Sequence, residues 1–138
     1  MGKTIRDAMT SNPSNVEMSS PIIEAARLMK TEDVGSIPVT EGDRLVGIVT
    51  DRDIAIRVVA EGKDVQKVTV GEIASKELVT VDPQQNLDEA LRLMAQHQVR
   101  RLPVVEEDGR LVGILAQADV AQHGDDAKTG QLVEKISD

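Results

Sequence analysis

Glu24-Ala25-Ala26-Arg27-Leu28-Met29 recurs as Glu89-Ala90-Leu91-Arg92-Leu93-Met94, an offset of 65 from Ala25 to Ala90. At the same offset Thr4 meets Thr69, Val34 meets Val99, and Pro38-Val39 meets Pro103-Val104. One residue is then inserted. Arg44-Leu45-Val46-Gly47-Ile48 matches Arg110-Leu111-Val112-Gly113-Ile114 at offset 66, and Asp53 matches Asp119. So many ordered matches identify an internal duplication, and a duplication constrains the fold before any local propensity does. The copies are assigned to residues 1–65 and 66–124, with 125–138 outside the repeat.

Each copy reads as the same string of elements. A short helical turn opens at Thr4 and at Thr69, both side chains suited to an N-cap. Brief extended segments follow around Asn15–Met18 and Leu78–Asp82. Apolar residues at three-and-four spacing then mark an amphipathic helix: Ile22, Ala25, Ala26 and Met29 in the first copy, Leu87, Ala90, Leu91 and Met94 in the second. Ser20 with Pro21 at the first helical position, and Asn86 in the second copy, are the start signals. Two strands around a tight turn come next, Ile37–Thr40 and Leu45–Val49 about Glu41-Gly42-Asp43, then Leu102–Val105 and Leu111–Leu115 about Asp108-Gly109. A second helix begins near Asp51 and near Gln117. The fold class is α/β (α+β), with the order β-α-β-β-α written twice. A unit of about 60 residues is marginal alone. Two copies packed face to face, with pseudo-twofold symmetry, are therefore expected to share one core and to leave two equivalent clefts between them. Asp125–Gly130 reads as a solvated linker and Gln131–Ser137 as a short last helix.

Composition narrows the chemistry. The 138 residues carry 24 acids against 16 bases, a net charge of −8, with no cysteine and no Phe, Tyr or Trp. The core is then built from Val, Ile, Leu, Met and Ala, and recognition by stacking bases on protein aromatics is excluded. Without cysteine there are no disulfides, thiolate metal sites or cysteine nucleophile. The acidic balance argues against nucleic acid and anionic membrane as partners. No apolar run approaches the roughly 20 residues of a membrane span. The start lacks the apolar region of a secretion signal, and Arg6 stands where a myristoylation motif after Gly2 wants Ser or Thr. A cytoplasmic location is expected.

The sharpest constellation is Gly47-Ile48-Val49-Thr50-Asp51-Arg52-Asp53, at a strand-to-helix junction. Gly47 lets a ligand or another backbone approach the strand closely. Thr50 at the helix N-cap, beside unpaired backbone N–H groups, forms an anion site suited to phosphate. Arg52 adds a guanidinium fork for phosphate oxygens. Asp53 can accept two hydrogen bonds from a vicinal diol such as the ribose hydroxyls. The plain alternative is a helix capping box, since Thr50-x-x-Asp53 fits one without any ligand. The second copy bears on the choice. There the segment is Gly113-Ile114-Leu115-Ala116-Gln117-Ala118-Asp119, so the cap hydroxyl is gone and the aspartate stays. An aspartate serving only as half of a box has less reason to persist without its partner, although it still favours the helix dipole.

The duplicated unit, the Val-x-x-x-Pro-Val segments and Gly-Ile-Val-Thr-Asp-Arg-Asp resemble a tandem cystathionine-β-synthase (CBS) domain pair, the Bateman module. The resemblance covers about residues 3–124 and is closest to small stand-alone bacterial CBS-pair proteins. It implies a regulatory module that binds adenosine-containing ligands (AMP, ADP, ATP, NAD or S-adenosylmethionine) between the copies, and it implies a homodimer. Carried over by position, the ribose aspartate falls on Asp53, the phosphate-side hydroxyl on Thr50, and Arg52 also faces phosphate. The base wall falls on Gln85, Ala90, Val99, Arg100 and Arg101 of the opposite copy, with Ser36 from the copy of Asp53. A second, weaker cleft uses Asp119 with Arg101, walled by Ser20, Ala25, Val34, Gly35 and Ser36. Ala116 and Ala118 depart from the pattern and offer phosphate nothing. The ligand is regulatory, so no catalytic cofactor and no catalytic residue are expected. The competing reading is a dimeric structural or adaptor module that docks an unidentified protein partner without a nucleotide.

Other signals read blandly. His97 ends the long helix of copy two, where a helix C-terminus favours His⁺. His123 before Gly124-Asp125-Asp126 superficially resembles a metal cluster but fits solvated charge better, and no metal is expected. Asp51 and Asp53 could together hold Mg²⁺, yet Asp51 reads more simply as a helix cap. With no serine elbow and no Walker loop, the chain is not expected to be an enzyme.

Overall fold

A computed structural model describes residues 3–123. The linker and helix assigned to 125–138, Gly2, and the acidic pair after His123 lie outside the described residues. The elements in chain order are α1 (Ile5–Ala8), β1 (Thr10–Ser11), β2 (Val16–Glu17), α2 (Ile22–Glu32), β3 (Ser36–Glu41), β4 (Arg44–Thr50), α3 (Asp51–Ile54), α4 (Val70–Ile73), α5 (Leu87–His97), β5 (Arg101–Val105), β6 (Leu111–Ala116) and α6 (Gln117–His123). Helix α3 runs on as a five-residue π-helical turn, Ala55–Val59. The fold is mixed α/β, with two β-α-β-β-α repeats.

Local chemistry explains most of these boundaries. Asn86 caps α5 by accepting the Glu89 N–H through its side chain at 3.3 Å. At the short opening helices the acid at the third position reaches back. The Thr4 N–H donates to the Asp7 carboxylate at 3.0 Å, and the Thr69 N–H to Glu72 at 2.8 Å. Pro21 departs from its expected place. It is the N-cap of α2 rather than its first helical residue, with ψ of 149°. Both long helices end on a left-handed residue that is not glycine, Asp33 and Gln98, each at φ 55°. The residue inserted between the copies sits in the hairpin turn. Copy one turns on Gly42-Asp43 alone, with Gly42 at φ 67°. Copy two needs three residues after Glu106, closed by a Gly109 N–H to Glu106 carbonyl bond of 2.8 Å with Gly109 at φ 89°. Two-residue and three-residue hairpin loops place their glycine differently, which is why the motif Gly shifts along the loop.

The described residues form two compact units, Ser14–Leu78 and residues 79–123 joined by 3–13. Space and sequence are therefore cut at different places. In the first unit β2 pairs parallel to β3, and β3 pairs antiparallel to β4. In the second, β1 and β5 flank β6, both antiparallel. The Val81–Val104 bridge is the counterpart of β2, so the second extended segment is reduced to a single pairing.

The opening segment of each copy completes the sheet and core of the other copy. Thr10 and Ser11 pair with Ile114 and Gly113, and Ser75 exchanges hydrogen bonds with Ile48 at 2.8 and 3.0 Å. A single shared core is thus not what forms. One aliphatic cluster holds Ile5 and Ala8 with Leu87, Ala90, Leu91, Met94, Leu102 and Leu115. The other holds Val70, Ile73 and Ala74 with Ile22, Ala25, Met29, Ile37 and Val49. The borrowed helical turns supply the apolar surface that a lone copy lacks, which lets each unit close its own core without an aromatic ring.

Gly47 and Gly113 are explained by this exchange. A Cβ on Gly47 would stand 2.9 Å from the Ser75 carbonyl oxygen, and one on Gly113 would stand 2.5 Å from Met9 Sδ. Of the two approaches left open by the sequence, a backbone or a ligand, the structure places a backbone against Gly47 and a methionine side chain against Gly113.

Candidate ligand-binding site

β4 delivers Thr50 to the start of α3, in register with Ser36 at the start of β3. Both halves of the capping box form. The Asp53 N–H donates to Thr50 Oγ1 at 3.0 Å, and the Thr50 N–H donates to Asp53 Oδ2 at 3.0 Å. The Asp51 N–H donates to the Gly35 carbonyl at 2.9 Å, and the Arg52 N–H to Asp51 Oδ1 at 2.8 Å. All three leading N–H groups of this four-residue helix are therefore occupied. The expected anion site of unpaired backbone donors is not present at this junction.

What remains available is carried by side chains. Thr50 Oγ1 accepts a bond and still has its hydroxyl hydrogen to donate. Asp53 Oδ1 accepts nothing among the described residues, while Oδ2 is held by the cap. Arg52 is exposed and belongs to none of the ion pairs among the described residues, which are Arg6–Glu106, Arg27–Glu24 and Arg110–Glu106. Thr50, Asp53 and Ser36 are half-buried. One turn thus presents a fixed carboxylate oxygen, a hydroxyl donor and an unpartnered guanidinium.

The second copy builds the same junction with fewer tools. The Gln117 N–H donates to the Arg100 carbonyl at 2.8 Å, as Asp51 does to Gly35. Asp119 Oδ2 accepts the Ala116 N–H at 3.0 Å without any hydroxyl partner. Asp119, expected to have less reason to persist without a capping threonine, thus has a structural role of its own. The carboxylate caps the strand-to-helix corner by itself.

The remaining expected residues fall in three groups. Ser36, Val34 and Gly35 lie with Thr50 and Asp53 in the 14–78 unit, on the strand end where β3 begins. Val99, Arg100 and Arg101 hold the equivalent place beside Asp119 in the other unit, where Arg101 is in register with Ala116 and both arginines are exposed. Ala25 and Ala90 occupy equivalent positions on α2 and α5 and are fully buried in the two cores. Gln85 has its side-chain amide committed at both ends, accepting from the Asp82 N–H at 2.7 Å and donating to Glu89 at 2.8 Å. Ser20 lines a separate surface hollow of about 440 Å³ that includes Glu17, Glu24 and Arg27 but none of Thr50, Arg52 or Asp53.

The CBS domain family model matches twice, over residues 5–60 and 70–125. The chain belongs to the CBS domain family. The CBS domain-containing protein YhcV of Bacillus subtilis is 48% identical over 118 residues, 86% of this chain and 83% of its own length. Hypoxic response protein 1 of Mycobacterium tuberculosis is 40% identical over 134 residues, covering 96% of this chain and 93% of that protein. A crystal structure of Hypoxic Response Protein I with two coordinated zinc ions has a TM-score of 0.80, spanning 89% of this chain and 100% of that one. CBSX2 of Arabidopsis thaliana, solved in complex with AMP, has a TM-score of 0.75 at 31% identity, covering 88% of this chain and 95% of its own. The CBS pair of MJ0100, solved with 5′-methylthioadenosine and S-adenosyl-L-methionine, has a TM-score of 0.74 at 25% identity, covering 88% and 95%. These are adenosine-containing ligands of CBS pairs related to this one. Among the described residues of this CBS pair, no group of three or more His, Asp or Glu could hold a metal ion.

Asp51, expected to cap the helix, accepts the Arg52 N–H in the first turn of α3. Its carboxylate lies over Gly35, where a Cβ would stand 3.1 Å from Asp51 Oδ2. The glycine opposite a first-turn acid, against arginine in copy two, was the available signal.

Proposed function

We propose that this CBS pair is a regulatory module that binds an adenosine-containing ligand at the Thr50–Asp53 junction. Asp53 Oδ1 accepts from the ribose hydroxyls, while the Thr50 hydroxyl and the Arg52 guanidinium meet the phosphate. The observation that carries this reading is the unpartnered Arg52 beside a carboxylate whose orientation is already fixed by its cap. A site organised before binding has less ordering entropy to overcome. Related CBS pairs holding AMP and S-adenosyl-L-methionine support the ligand class. In this reading the ligand of the two CBS repeats is regulatory and the module itself catalyses no reaction.

The Asp119 junction is the weaker of the two, because Ala116 and Ala118 bring neither hydroxyl nor guanidinium. We further propose that the protein pairs with a second copy through the helical segment after Asp53. There Ile56 is 45% and Val59 is 64% exposed. Among the described residues no helix is long and apolar enough to cross a membrane, and a cytoplasmic location completes the proposal.

Native mass spectrometry of freshly purified protein tests ligand and oligomer together. A co-purified adenosine compound, or its binding on addition, is the expected result. A stable dimer that binds none of AMP, ADP, ATP, NAD or S-adenosylmethionine would overturn the sensing role in favour of an adaptor.

A further inference from the structure

Asp51 has no role in the reading above, yet its carboxylate sits one residue from both expected phosphate contacts. It accepts the Arg52 N–H at 2.8 Å and is exposed. Of the three leading N–H groups of α3, that of Arg52 alone meets this carboxylate, the other two being bonded to Thr50 Oγ1 and the Gly35 carbonyl. The side chains of Asp51, Arg52 and Asp53 sum to a net negative charge, on a protein already at −8. Copy two has neutral Gln117 at the equivalent position.

We propose that Asp51 is a specificity-determining residue that limits how many phosphates this site accepts, so that it favours a nucleoside monophosphate over the di- and triphosphate. The inference rests on the ligand reading of the Thr50–Asp53 junction and adds what that reading leaves open. Thr50, Asp51 and Arg52 are consecutive in the chain, so a phosphate held by Thr50 and Arg52 is expected on the order of 7–10 Å from the Asp51 carboxylate. At that distance, in a half-solvated setting, each added phosphate charge weakens binding by about threefold to tenfold. The effect is screened by salt and is largest at low ionic strength. Thr50 and Arg52 together supply one hydroxyl donor and a single positive charge, enough to engage one phosphate group, and leave no further cation for a second.

The test is calorimetric titration of AMP, ADP and ATP at low salt in EDTA, so that no divalent cation bridges carboxylate and phosphate. Asp51→Asn keeps an oxygen for the Arg52 N–H and removes only the charge. Asp51→Gln copies the second repeat and serves as an independent variant should the first unfold. Asp43→Asn, at the far hairpin turn, makes the same change in net charge away from the junction. The wild-type protein is expected to bind AMP most tightly, and both Asp51 variants to raise the affinity for ATP relative to AMP by at least threefold. Asp43→Asn is expected to leave that ratio unchanged. Wild-type binding of AMP with an unaltered ratio in the Asp51 variants would overturn the role of Asp51 and leave the ligand site standing. An equal shift in Asp43→Asn would overturn it too, assigning the effect to net charge. Failure of the wild type to bind any of the three would overturn this inference, and the ligand reading falls with it if NAD and S-adenosylmethionine also fail to bind.

Discussion

Asp53 has two jobs that one pair of substitutions can separate. Its Oδ2 accepts the Thr50 N–H at 3.0 Å as a cap, and its Oδ1 is the oxygen assigned to the ribose. Asp53→Ala removes both. Loss of the cap costs about 1 kcal/mol, which lowers the melting temperature by about 4–8 °C for a domain near 60–100 residues. Loss of hydrogen bonds from a charged acceptor costs about 1.5–3 kcal/mol each, so affinity for AMP falls at least tenfold. Asp53→Asn keeps an oxygen for the Thr50 N–H but loses the charge and the second acceptor. Its melting temperature is expected to stay within about 2 °C of wild type, with affinity reduced as in the alanine variant. Asp119→Ala is the matched control, because it deletes the equivalent bond, Ala116 N–H to Asp119 at 3.0 Å. It is expected to lower stability like Asp53→Ala and to leave AMP binding at the first junction intact. Unfolding is followed by far-UV circular dichroism, since the chain has no Trp or Tyr. If Asp53→Asn binds AMP as tightly as wild type, Asp53 is a helix cap and the ribose assignment is wrong.

Gly47→Ala is expected to destabilise the protein by about 1–3 kcal/mol in urea unfolding, because its Cβ would meet the Ser75 carbonyl oxygen at 2.9 Å. Gln98→Gly is expected to stabilise by roughly 0.5–1 kcal/mol, read as a raised urea midpoint, by relieving a left-handed residue. Asp33→Gly gains less, since aspartate tolerates that conformation better than glutamine. Ala116→Thr with Ala118→Arg rebuilds the phosphate side of copy two and is expected to raise AMP stoichiometry in calorimetry. Ile56→Asp with Val59→Asp is expected to convert a dimer to monomer in sedimentation, with AMP affinity per chain kept.

The features legible in the sequence are those governed by near neighbours. The offset of 65 placed two eleven-residue helices at equivalent positions, while Asn86 marked the start of α5 and Thr4 and Thr69 those of the short helices α1 and α4, through bonds spanning three residues. The inserted residue falls in a hairpin turn, where one more residue changes the loop type and nothing else. Three features were not legible, and each depends on partners distant in sequence or on competition between similar geometries. Thr10 pairs with Ile114, a choice that repeat periodicity leaves undetermined between the two copies' sheets. That exchange turned an expected shared core into two clusters. Pro21 satisfies the rule for a first helical residue equally well as for an N-cap, and the difference lies in its ψ alone. The π-helical turn at Ala55–Val59 follows an ordinary helical sequence, with no glycine or proline to announce it.

The candidate site was legible as a motif and misread in part as chemistry. A Thr-x-x-Asp at a strand-to-helix corner suggests open N–H donors, but the structure closes every one of them with a carbonyl or a side chain from within three residues or from Gly35. Asp119 shows that the corner needs its aspartate even where no threonine accompanies it. Persistence of that residue therefore reports on the fold before it reports on a ligand. The groups that discriminate are those to which the fold assigns no work: the Arg52 guanidinium, the hydroxyl hydrogen of Thr50 and the second carboxylate oxygen of Asp53. All three are grouped at the first junction. At the second, the helix turn offers the spare carboxylate oxygen of Asp119 without a hydroxyl or guanidinium of its own, beside the exposed Arg100 and Arg101 of the strand end. The difference in binding proposed for the two copies then rests on two side chains, Thr50 and Arg52 against Ala116 and Ala118, rather than on the aspartates they share.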